Sequence, residues 1–86
     1  MLINKITPRQ LEFISEVGNG LSIVDVADKF FLNKYTVRNT LKSARAENGA
    51  RSNNQLLAWC IKDGFLKVRA DGSVEINRIV FNEHFR

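Results

Sequence analysis

The chain has 86 residues, 44% of them hydrophobic and 26% charged, with one proline and five glycines. That length excludes a large catalytic fold and leaves room for one small domain, and that composition excludes a disordered tail. The formal charge of +4 is unevenly spread: residues 34–69 hold eight basic side chains against two acidic ones, net +6, and the stretches on either side are each net −1, so an anionic partner is expected to dock at the middle of the chain.

Thr7 followed by Pro8 predicts a helix start, with the hydroxyl as N-cap, the proline where its missing N–H costs nothing, and Gln10 in place to close a capping box. Leu11, Ile14 and Val17 line one face until Gly18-Asn19-Gly20 stops the helix. Ser22 caps a second, short helix with Asp25 at its third position and Val26, Ala27 and Phe30 on its apolar side; Leu32 and Asn33 end it.

Asn33 caps a third helix reaching Asn48, and Val37, Leu41 and Ala44 recur along it at the helical period as a buried stripe. Lys34, Arg38, Lys42 and Arg45 form a row on a different face. Like charges one turn apart weaken an isolated helix by a few tenths of a kcal/mol per pair. A cationic row with no acid beside it until Glu47 suits a phosphate-contacting helix. Asn48 and Gly49 close the helix, the glycine being able to take the left-handed cap conformation.

Ser52 or Asn53 opens a fourth helix that ends at Asp63-Gly64. Its centre, Leu56-Leu57-Ala58-Trp59-Cys60-Ile61, is apolar on every side, so a second hydrophobic surface has to be covered. Leu56, Leu57, Cys60 and Ile61 can fill the core of the chain while Gln55 and Trp59 face outward, Trp59 either at a dimer interface or under the C-terminal hairpin of its own chain. The segments Leu66–Ala70 and Ser73–Asn77 alternate around Asp71-Gly72 and predict a β-hairpin. A structural role for it, with Val68, Val74 or Ile76 packed over the helices, outweighs DNA contact by Lys67 and Arg69. Ile79-Val80-Phe81 and Phe85 are too apolar for a free tail and too short to assign.

The span of about residues 6–66 resembles the LuxR/GerE-type helix-turn-helix domain. The resemblance rests on Ile6-Thr7-Pro8-Arg9-Gln10-Leu11-Glu12-Phe13-Ile14, Gly20-Leu21-Ser22, Val26-Ala27 with Phe30, Leu32-Asn33-Lys34-Tyr35-Thr36-Val37-Arg38 and Gly64-Phe65-Leu66, in that order. The chain departs from the usual pattern at Val24, Thr40, Glu47-Asn48 and Asn53. The resemblance implies a four-helix helix-turn-helix module; with the hairpin, the least family-like part, the expected fold is mainly α, a helix-turn-helix domain over residues 1–66 followed by the hairpin and a short C-terminal segment, residues 67–86, on the same body. It further implies that the second and third helices read DNA, with Lys34, Tyr35, Arg38, Asn39 and Lys42 facing it and Thr36 at the backbone, and that the fourth helix dimerises.

The side-chain chemistry fits that implication. Arg38 can fork onto guanine, Asn39 can pair with adenine, and Lys34, Lys42 and Arg45 can reach phosphates or guanine acceptors, while the amides beside Ser22 offer a phosphate seat. Gln55, Leu56, Trp59 and Lys62 are the expected dimer contacts, placing two recognition helices roughly 34 Å apart on a pseudo-palindromic site. The expected function is a freestanding, sequence-specific regulator of transcription that binds double-stranded DNA. The rival is a phage- or plasmid-type accessory protein that binds a host regulatory protein or RNA polymerase through Trp59, the hairpin and Ile79–Phe81. Nothing suggests an enzyme, a cofactor or a metal: Cys60 lies in an apolar run, His84 has no ligand cluster near it, and Glu12 with Glu16 is an ordinary surface spacing. One cysteine needs no oxidising compartment, and no segment has the character of a membrane span or signal peptide, so a cytoplasmic location is expected.

Overall fold

A computed structural model describes residues 1–86. Along the chain run α1 (Pro8–Gly18), α2 (Ile23–Lys29), α3 (Lys34–Asn48), α4 (Asn53–Lys62), β1 (Leu66–Val68), β2 (Val74–Ile76) and α5 (Arg78–His84). The first four helices start where local side chains satisfy the amides that a helix leaves unpaired. Thr7 Oγ1 accepts the Gln10 N–H at 3.1 Å while Gln10 Oε1 accepts the Thr7 N–H at 3.0 Å, and Ser22 and Asp25 repeat the exchange. Asn33 Oδ1 accepts from the Tyr35 N–H, and Ser52, rather than Asn53, caps α4.

The core is assembled around α1, which packs against α3, α4 and β2, while α2 lies chiefly on α3. Leu11, Phe13, Ile14, Val26, Val37, Leu41, Ala44, Leu56 and Cys60 have no exposed surface at all. Phe13 meets the half-buried Phe30 edge-on, with centroids 5.3 Å apart. The strands pair antiparallel with Leu66 opposite Ile76 and Val68 opposite Val74, around a turn in which Gly72 takes φ +88°. Val74 and Ile76 turn into the core, and Asn19 holds the edge of β2 by accepting from the Val74 N–H and donating to its carbonyl.

The C-terminal segment that the sequence leaves unassigned is a fifth helix, residues 78–84, capped by Asn77, whose Val80 and Phe81, with Phe85 just beyond it, lean on the core, so the body has five helices and not four. Of the three apolar hairpin residues expected over the helices, Val74 and Ile76 are buried there, while Val68, on the same face as Leu66 but at the far end of β1, is 55% exposed. The result is a mainly α body with one small antiparallel hairpin, in which α2, its turn and α3 are compatible with a helix-turn-helix pair without being specific to that class. No helix is long and apolar enough to cross a membrane.

Candidate nucleic-acid interface

The third helix divides cleanly between two environments. Val37, Leu41 and Ala44 are fully buried, and Asn48 continues the same stripe at 6% exposure. Lys34, Tyr35, Thr36, Arg38, Asn39 and Lys42 are all exposed. Anchoring one side in the core fixes where the other side points, so the polar residues form a surface set by the packing of α3 rather than by loop geometry.

What distinguishes this surface is three unneutralised cations in a row on one helix face. The other cations whose side chains make neither an ion pair nor a hydrogen bond, Arg51, Lys62, Arg78 and Arg86, stand singly on separate parts of the chain. The acidic side chains Glu47, Glu12, Glu16 and Glu75 take up Lys5, Arg9, Lys29, Lys67 and Arg69, and no ion pair involves Lys34, Arg38 or Lys42. The first turn of α3 also lacks any acidic residue, so the partial positive charge of its amide dipoles adds to that of Lys34. Tyr35 gathers the cations: Lys34 Nζ lies 5.3 Å and Arg38 Cζ 5.5 Å from its ring centroid. The N-terminal end of α3 therefore presents two cations around one exposed aromatic, with Lys42 a turn further on.

Arg45 and Ser22 do not join this set. Arg45 follows Leu41 by four positions, which puts it at the edge of the buried stripe, and its guanidinium donates to Asn53 Oδ1 in a half-buried contact between α3 and the start of α4. Ser22 is committed to its cap, and the Asp25 carboxylate already accepts its N–H at 3.1 Å. An anion approaching the Ser22 amide would meet a carboxylate, while the Ile23 and Val24 amides beside it donate to no group of the protein.

On α4, Gln55, Trp59 and Lys62 line one side, with Trp59 and Gln55 half-buried and Lys62 exposed. Leu56 lies on the other side, with no surface left to offer a second chain, and is corrected from dimer contact to core. Trp59 itself leans partly on the core of its own chain.

Two ionisable groups elsewhere, one partly and one fully buried, are shifted by their surroundings. A shallow cleft between α1, α2 and α5 is lined by Glu12, Ser15, Glu16, Lys29 and Arg78. Partial burial pushes the Glu16 carboxyl upward, but the Lys29 ammonium and the Asn19 amide more than offset this and hold it below the ordinary value of 4.5. Burial, with the Asp63 carboxylate adding to it, pushes the Cys60 thiol up to about 12.

Sequence reasoning missed one residue beside this interface and one at the far end of α3. Phe31, in the turn that leads into α3, is 96% exposed and has φ +57°. Asn48 is a buried clamp rather than a simple helix end. Compared with models of known protein families, with curated proteins and with solved structures, the chain finds no match.

Proposed function

We propose that the protein is a sequence-specific double-stranded DNA-binding regulator of transcription, built on a helix-turn-helix of the LuxR/GerE type. The observation that carries this reading is the α3 surface: Lys34, Arg38 and Lys42 are exposed and unpaired in a row on one helix face around Tyr35, whereas the other unpaired cations, Arg51, Lys62, Arg78 and Arg86, are scattered singly over the chain. Cations left without acids on a rigid helix break no ion pair on meeting phosphates, whereas those already paired would have to exchange one partner for another. In the major groove Arg38 and Asn39 are the base-reading side chains, and Lys34, Lys42 and Thr36 contact the backbone. A two-fold dimer through Gln55, Trp59 and Lys62 sets two copies of α3 on successive turns of the duplex.

The test is selection of bound sites from a random duplex library, followed by titration of the recovered duplex across salt. A preferred site, with affinity falling linearly on a log–log salt plot, supports the proposal. A folded protein that ignores duplex at low salt ends it. A second reading, capture of a host protein, is favoured by the exposed Val68 and Ile79, 55% and 73% accessible, which lie away from α3 in the chain. It predicts loss of partner binding on Ile79→Ser with no dependence on Arg38.

A further inference from the structure

We propose that Phe31 is a specificity-determining residue that reads thymine, by packing its ring on the C5-methyl group in the major groove; the inference rests on the DNA-binding reading above. Phe31 occupies the position just past the end of α2, where the chain closes the helix with Leu32 N–H donating to Ala27 O at 2.8 Å and Phe31 N–H donating to Asp28 O at 3.3 Å. That closure needs a left-handed residue, which glycine supplies without steric cost and phenylalanine does not. The ring recovers none of that cost by burial, being 96% exposed and packed on nothing. Neither the turn nor the core accounts for an aromatic side chain here.

Its surroundings state what it can meet. Phe31 stands three residues before Lys34 and four before Tyr35, at the end of α3 where the cations gather and where a recognition helix approaches base edges. A cationic rim fits a polyanion and disfavours an apolar protein partner. Within the major groove the thymine methyl is the one apolar group that a base edge displays. A large apolar ring on a surface otherwise made for phosphates and polar base edges has that methyl as its matching contact.

The experiment uses the duplex that the wild-type protein recovers from a random library, synthesised once with thymine and once with uracil throughout. The two probes share phosphates, base pairing and minor-groove edges and differ only in the methyl groups. The wild type is expected to bind the uracil probe more weakly, by about fourfold for each methyl that the ring covers. Phe31→Ala is expected to bind both probes alike, at the affinity of the wild type for the uracil probe, and to melt cooperatively. Phe31→Gly, which also relieves the backbone, is expected to do the same. Equal binding of both probes by the wild type overturns the inference. If Phe31→Ala then still loses affinity, the ring acts instead as a wedge in the minor groove. Duplex binding with no preferred site also overturns it, since a methyl-reading ring must enrich thymine. Failure to bind any duplex overturns the DNA-binding reading itself.

Discussion

The carboxamide of Asn48 holds the backbone of Lys5 from both ends: Oδ1 accepts the Lys5 N–H at 3.0 Å and Nδ2 donates to the Lys5 carbonyl at 2.8 Å. The same side chain also takes the Asn4 N–H at 2.7 Å and returns to Ala44 O within its own helix. Asp63, at the end of α4, accepts from the N–H groups of Leu2 and Ile3. Two side chains thus tie the segment ahead of α1 to the ends of α3 and α4, and they let Ile3 and Ile6 reach the core.

Replacing Asn48 by Ala leaves two amides and a carbonyl in a part-buried seam without partners. A buried polar group left unpaired costs on the order of 1–3 kcal/mol, so Asn48→Ala is expected to destabilise by about 2 kcal/mol, partly relieved by water. Urea unfolding reads the loss, and hydrogen exchange at Asn4 and Lys5 locates it. An unchanged midpoint, with those amides still protected, would show that the clamp contributes nothing.

How much of this was legible in the sequence depends on how far apart the interacting residues lie. The caps at Thr7, Ser22 and Asn33 were readable because each pairs with a residue two or three positions on. The buried stripe of α3 was readable because helix period alone sets it. Asn48 reads as a helix end because its partner Lys5 is 43 residues away and no local pattern points to it. Arg45 continues the charge and spacing of Lys34, Arg38 and Lys42, and what removes it from their row is Asn53, eight residues on in the next helix. The fifth helix is not legible because Arg78–His84 is short and its apolar side is completed only by contacts with the body. At Phe31 residue type misleads, since aromatic side chains seldom signal a left-handed turn.

Phe31→Gly is expected to stabilise the protein. A non-glycine residue in the left-handed region costs about 1–2 kcal/mol, and the added flexibility of glycine in the unfolded chain returns part of it. The net gain should be about 0.5–1 kcal/mol, seen as a higher melting temperature. A lower one would mean that the exposed ring makes a contact that its 96% accessibility does not disclose.

Glu16 gives stability a defined acid dependence. Its native pKa lies below the ordinary 4.5, so its contribution is complete above 4.5 and is lost as pH falls through the lower native value. The wild type should therefore lose stability more steeply than Glu16→Gln on acidification from neutral pH to below 4.5. Parallel curves for the two proteins would remove the Lys29 pairing from the account of folding.

Cys60 should be chemically silent while the protein is folded. Its thiol has no exposed surface and titrates at about 12, so at pH 8 almost none is thiolate and none is reachable. A thiol reagent is expected to label the chain only in denaturant, at a rate that follows global unfolding. Rapid labelling in native buffer would contradict the packing of α4 against α1.

The sharpest separation of function from stability lies among three cations of a single helix. Arg38 and Lys42 are exposed and make no ion pair, so Arg38→Ala and Lys42→Ala should leave unfolding within about 0.5 kcal/mol of wild type. Each should weaken duplex binding, Lys42→Ala uniformly across sequences with a salt slope shallower by about one, Arg38→Ala most on the selected site. Arg45 is bound to Asn53 at the joint between α3 and α4, so Arg45→Ala should show the reverse: a loss of stability of about 1–2 kcal/mol with duplex affinity nearly unchanged. If instead all three substitutions weaken duplex binding equally, the cationic row acts through charge alone. The division of α3 into a reading face and an anchored edge would then have no bearing on recognition.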